Sequence, residues 1–245
     1  MKWLRDRFER EGPGIPKDAP KKRGLALFGQ IIGREAWDLF ALNLMIVVLS
    51  LPIITIPAVH AAATRICVSM VRDENRYLYR DFRDALRDTW VTATLGGMGF
   101  AVGLVISGYA IFIYGQLALV NYVYAAPLAL AVATFVFVSM IAAHFMVLLA
   151  VRPMTLLQLL RLALIATLAR PLPALSAFVF VAALWLAHVV FYPVSVFMPA
   201  VFNFSLGTLA ITFAVLKATD FVLSLPGSTP QGRTKEFADA HMRRR

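Results

Sequence analysis

The chain has 245 residues, 60% of them hydrophobic, with a mean hydropathy of +0.72 and a formal net charge of +10. No charged side chain occurs between Asp88 and Arg152, or between Arg170 and Lys217, and apolar stretches of that length exclude a water-soluble globule. The basic residues lie at the termini and between apolar runs, with no aromatic-interleaved basic domain to track a phosphate backbone, so no nucleic-acid partner is expected; membrane orientation and attraction to anionic lipid headgroups account for them.

Residues 1–34 are a basic segment with nine Lys and Arg, expected on the cytoplasmic side. The opening K-W-L-R-D-R-F-E-R-E predicts a short amphipathic helix with Trp3, Leu4 and Phe8 on one side. Gly12-Pro13-Gly14 ends it, and a basic tether follows. A secretory signal is not expected, since the first long apolar run starts late and lacks a small-residue cleavage site.

Residues 35–219 read as the transmembrane domain. Its first apolar zone, Trp37–Val71, is broken by Pro52 and Pro57. Each proline removes a helix hydrogen bond, so the zone predicts a hairpin, with helices over 37–52 and 58–71 and a tight turn between them. The short second arm either re-enters the membrane or is supported by neighbours. It holds the single cysteine, Cys67, which excludes an intrachain disulfide and reads as a buried small side chain.

The next segment, V-R-D-E-N-R-Y-L-Y-R-D-F-R-D-A-L-R-D-T-W, has Leu78, Phe82, Ala85, Leu86 and Trp90 at helical spacing. It predicts an amphipathic helix over 76–90 lying along the cytoplasmic interface. Its charges are either a solvated face or a docking surface, for which Arg72, Asp73, Glu74, Arg80, Asp81 and Phe82 are the candidates.

A third span follows over 91–116, where Gly99 and Gly103 form a G-x-x-x-G that permits close helix approach. An uncharged loop leads to a returning span from Pro127 to Val151. Between Pro153 and Pro171, Thr155, Gln158 and Arg161 form a polar stripe. Arg161 at the middle of a bilayer would cost about 2.5 kcal/mol or more, so this segment is expected on the interface. Residues 172–191 and 201–217 supply the last pair of spans, and 220–245 form a basic tail expected to be mobile.

The fold expected is therefore all-α and polytopic, with about six transmembrane helices, two interfacial amphipathic helices and both termini cytoplasmic. The expected outer loops 52–57, 117–126 and 192–200 contain no Lys or Arg, which favours six spans over five by the positive-inside rule.

Two ordered motifs carry a family resemblance. Asn43-Leu44 with Ser50-Leu51-Pro52, followed by Arg72-Asp73-Glu74 with Arg80-Asp81-Phe82, resembles the YesL-like family of bacterial membrane proteins over about residues 28–95. The family usually has a glycine in the turn where Ile56 here meets Pro57 directly. The resemblance implies a multi-pass protein of the bacterial inner membrane with no assigned reaction. Because members often occur beside carbohydrate uptake systems, it also implies an accessory role with subunits of a sugar ABC importer.

The residues themselves offer little chemistry. His60 and His188 are expected near the outer face and His144 nearer the inner one, so the three do not share a depth; no H-x-x-x-H or H-E-x-x-H occurs, and there is no Walker A or G-x-S-x-G. No catalysis, metal or cofactor is expected. Asp38 and Asp220 are expected to pair with Arg34 and Lys217 at inner helix ends. The leading expectation is a noncatalytic partner protein, with the 76–90 helix and the Pro52–Pro57 hairpin making the contact. The rival is a small transporter or channel whose pathway is lined by Asn43, Thr55 and His144. Self-association remains a further expectation.

Overall fold

The computed structural model describes residues 24–225. The expected helix around Trp3, Leu4 and Phe8, the tether after it and the tail from 226 onward lie outside those residues. Among the described residues the regular elements are all helices, in the order α1 (Leu25–Arg34), α2 (Ala36–Leu49), α3 (Ile56–Arg72), α4 (Leu78–Val120), α5 (Ala125–Val151), α6 (Leu156–Ala169), α7 (Pro171–Val190) and α8 (Phe204–Leu223). Five stretches of the described residues are long and apolar enough to cross a membrane: Ile53–Arg72, Leu78–Val120, Tyr122–Val151, Pro171–Val190 and Pro199–Leu223. The protein is thus an all-α, multi-pass membrane protein.

The centre of the bundle is α3. Pro57, Ala58, Val59, the run Ala61–Thr64, Ile66, Cys67, Val68 and Met70 are all buried, on every side of the helix. Short side chains let neighbouring backbones approach from several directions. Ile66 and Met70 pack with Leu39 and Leu42 of α2, Phe82 of α4 and Leu209 of α8. Ala58 and Ala61 share a second cluster with Phe145 of α5 and Leu159 of α6. Val68 belongs to a third cluster with Val147 of α5, Ala174 of α7 and Val215 of α8.

The prolines do divide the first apolar zone into a hairpin, but the arms differ from expectation. A 3-10 turn over Ile53–Thr55 leads into α3, where Pro57 occupies the first turn and its missing N–H costs nothing. The shorter arm is α2, with 14 residues and a length of about 21 Å. That falls short of the hydrocarbon thickness. The arm that sequence spacing made short is the well-buried one.

The expected break near residue 90 is absent. The amphipathic segment and the third span form one helix, α4, of 43 residues, about 65 Å long. Nothing between Asp88 and Val91 stops a helix, so the charged turns extend the axis of the span instead of turning along the interface. The charged part pairs with α3: Arg65 meets Asp88 at 3.2 Å. Pro57 packs against Gly97, about 13 Å beyond Asp88 along α4. From Gly97, α4 continues for about 35 Å to Val120. The α2–α3 turn is therefore level with the middle of α4, and the expected outer loops 52–57 and 117–126 are not level with each other. Around that turn the apolar side chains Leu51, Ile53 and Ile54 are exposed.

The glycines that bring helices together are not the expected ones. A Cβ at Gly99 would meet nothing within 4 Å, and one at Gly103 only ordinary contact with Val138 at 3.5 Å. At Gly96 it would come within 2.3 Å of the Phe145 ring, and at Gly97 within 2.3 Å of Pro57 Cβ. Alanine at Gly97 is expected to destabilise the protein by about 1–3 kcal/mol, because a proline ring cannot swing aside. Alanine at Gly99 is expected to be neutral or stabilising by up to about 1 kcal/mol. Thermal unfolding in detergent checks the contrast, and equal effects would refute it. A cysteine at Ile54 is expected to be shielded from a membrane-impermeant maleimide, and one at Tyr122 to react; equal reaction would put both turns in water.

Candidate functional site

At the end of the bundle that carries the charges, α3 stops in a way its sequence explains. Asp73 adopts the left-handed conformation, with φ 57°. Its N–H donates to Met70 O at 3.4 Å, and the Glu74 N–H donates to Ser69 O at 3.0 Å. These two bonds are a Schellman stop, and Asp tolerates the left-handed position better than most side chains. The Asp73 carboxylate then pairs with Arg34 Nη1 at 2.8 Å, while Arg34 Nη2 donates to Met70 O at 3.3 Å.

The same linker binds the bend between α1 and α2. Arg76 bonds Glu35 and lies 3.1 Å from Asp38. Arg76 and Glu35 side chains are only 10% and 11% exposed. Burial, and next the neighbouring Arg34, lower the Arg76 pKa from its ordinary value; two carboxylates hold the charge there. Arg72 reaches α8, bonding Asp220 at 2.8 Å. The expected partners of both acids are thus corrected: Asp38 pairs with Arg76 instead of Arg34, and Asp220 with Arg72 instead of Lys217. Longer-range geometry decided each, because both arginines project across the linker. Asp220 also belongs to α8 and not to the tail, just as residues 25–34 belong to the packed bundle, with Ile31 in the core.

Between the end of α3, the start of α4 and the end of α5 lies a polar groove of about 430 Å³. Arg65, Ser69, Arg72, Glu74, Asn75 and Asp84 are among its walls. Of the expected docking residues, Arg72, Glu74 and Asp81 line it. Asp73 faces Arg34. Asp81 accepts the Tyr77 N–H at 2.8 Å and pairs with Arg80 at 3.1 Å, while the Arg80 guanidinium stacks 4.3 Å from the Tyr77 ring. Phe82 is corrected: it is 1% exposed and packs in the α3-centred core. Its place in the apolar stripe of α4 sends it inward, so truncating it would open a core cavity costing about 3–5 kcal/mol, and it cannot touch a partner.

The three expected pathway residues are not brought together. Asn43, fully buried, clamps the break before α8. Residues Pro199–Asn203 form a π-type turn, which frees backbone groups from the regular ladder. Asn43 Nδ2 donates to Pro199 O at 2.9 Å and Ala200 O at 2.7 Å; its Oδ1 accepts from Phe204 N at 3.0 Å and Ser205 N at 2.9 Å. That exhausts the hydrogen-bonding capacity of the amide. Thr55 works within the α2–α3 turn, its hydroxyl proton directed at the Leu49 and Pro52 carbonyls. His144 is buried between α5 and α6, with Nδ1 2.9 Å from Met140 O and 3.2 Å from Thr167 Oγ1. Each serves its local backbone or helix contact.

Residues 39–111 match the model of a family described as a protein of unknown function, DUF624, which includes the YesL-like proteins. Over this stretch the chain resembles that family. No curated protein and no solved structure matches the chain. The matched stretch supplies most of α2, all of α3 and most of α4, and with them every groove wall except Ala150 and Val151. Its Arg72, Asp73 and Arg76 are paired from outside it, by Asp220, by Arg34, and by Glu35 and Asp38 respectively. Sequence reasoning missed Glu35 and Arg76. Their signal was a polar pair flanking the hairpin at similar distance from its turn.

Removing the Asn43 amide leaves four backbone groups to find other partners. Asn43→Ala is expected to cost about 2–4 kcal/mol. Asn43→Asp, nearly the same shape but without donors, is expected to cost as much or more. A drop below about 1 kcal/mol in detergent unfolding would show that the break is satisfied otherwise.

Proposed function

We propose that this is a noncatalytic membrane protein that docks a partner through the groove at the charged end of α3 and α4. The observation that carries the reading is the electrostatic state of that groove. Arg65, Arg72, Asp81 and Asp84 already have partners at 2.8–3.3 Å, so its surface is close to neutral and held in place. Such a surface suits a polar peptide segment better than a strongly charged small ligand. We place the charged end in the cytoplasm, as the positive-inside rule favours. The partner class is the one implied by the YesL-like resemblance, the permease and ATPase subunits of a carbohydrate ABC importer.

A second reading rests on a separate cavity of about 410 Å³ among α3, α4, α5 and α8. Its hydroxyls on Thr64, Ser139 and Thr208 all bond carbonyls of their own helices. His60 is left as the polar side chain facing an apolar space, which fits a small, mostly apolar solute carried by an autonomous transporter.

Purification of the full chain from native membranes, with quantified co-eluting subunits, separates the two. Importer subunits are expected at a fixed ratio, and Glu74→Lys with Asp84→Lys is expected to lower their recovery about tenfold at unchanged melting temperature, from roughly 1.4 kcal/mol lost at the contact. A chain recovered alone, or undiminished recovery with the variant, would overturn docking. Solute flux in proteoliposomes abolished by His60→Leu would then favour the transporter.

A further inference from the structure

On the opposite flank, α1, α7 and α8 enclose a groove of about 450 Å³, within the range of small-ligand sites. Its body is apolar. Ala177 of α7 with Ala210 and Ala214 of α8 leave a slot where two helices would otherwise close. Phe28 of α1 forms one end, edge-to-face with Phe180 at 5.6 Å and tilted against Phe213 at 5.3 Å. Its rim is basic: Arg170, at the start of α7, and Lys217, near the end of α8, both line it and are exposed.

Neither cation has a carboxylate partner among the described residues. Asp220, the acid nearest to Lys217 in sequence, is taken by Arg72 at 2.8 Å, and Arg170 has only the Phe221 ring, 5.1 Å away. Two positive charges without a carboxylate partner among the described residues thus stand over an apolar slot at the charged end of the bundle. The start of α7 adds the positive end of a helix dipole beside Arg170.

We infer that this groove binds one anionic glycerophospholipid, with its phosphate between Arg170 and Lys217 and an acyl chain in the slot lined by Ala177, Ala214 and Phe213. A soluble anion would leave the apolar walls unused, and a neutral lipid would leave two cations unanswered. Gly24 lines this groove, but residues 1–23 carry more Lys and Arg than Asp and Glu, the wrong sign for the site. The site differs from general attraction of basic segments to a surface, because it requires both the charge pair and the slot.

The test is titration of the full-length protein in mild detergent with phosphatidylglycerol or phosphatidylcholine, counted by native mass spectrometry. The expected result is one phosphatidylglycerol retained per chain and no comparable retention of phosphatidylcholine. Arg170→Gln with Lys217→Gln is expected to weaken retention about tenfold or more. Arg87→Gln with Arg161→Gln, which removes two exposed cations elsewhere, is expected to change it less than about twofold. Ala214→Phe, which fills the slot and keeps both charges, is expected to weaken it as strongly as the groove pair, with an unchanged melting temperature confirming the fold. Equal retention of the two lipids, equal effects of the two charge pairs, or full retention by Ala214→Phe would each overturn the proposal. So would cross-linking of residues 1–23 into the groove in the lipid-free protein.

Discussion

The rest of the bundle depends on one helix being thin enough to be surrounded. α3 is buried on all sides because its middle is a run of alanines followed by Thr64. In a bilayer, lipid tails are as apolar as leucine, so helices gain by close contact and not by escaping solvent. Short side chains on α3 make that contact available to α2, α4, α5 and α8 at once. The long α4–α5 hairpin and the α7–α8 pair are anchored through it. Gly96 and Gly97 are the reciprocal feature, removing side chains from α4 where the Phe145 and Pro57 rings press closest.

A second constraint governs the interruptions. Backbone groups inside a membrane protein must find partners within the protein, and this chain is broken before α3 and again before α8. The α2–α3 turn uses Thr55 on the Leu49 and Pro52 carbonyls. The π-type turn before α8 uses Asn43, a residue more than 150 positions away in sequence, on four backbone groups. The polar residues of the apolar zones therefore read as structural closures. The groups left for recognition gather at the charged end, where Arg34, Glu35, Asp38, Asp73 and Arg76 lock the α1–α2 bend to the α3–α4 linker. A polar groove on one side and a basic-rimmed apolar groove on the other are both set on this locked frame.

Membrane class, helical content, the proline hairpin and the YesL-like stretch were legible from the chain, since each depends on local composition or on residues close in sequence. Uncharged runs imply spans because a bilayer penalises charge wherever the span lies, and Pro52 and Pro57 break a helix whatever surrounds it. What tertiary structure alone decided depends on which face meets which neighbour. Phe82 could be read as an exposed anchor until α3 was seen to cover it. Gly99 and Gly103 fit a packing motif, yet the partner rings lie at 96 and 97. Asp38 and Asp220 had plausible basic neighbours in sequence, but guanidinium groups reach across helices and the linker geometry selected Arg76 and Arg72. The depth of the first turn was hidden for the same reason: composition says that a segment tolerates hydrocarbon, while only its register against α4 says how far along the bundle it reaches.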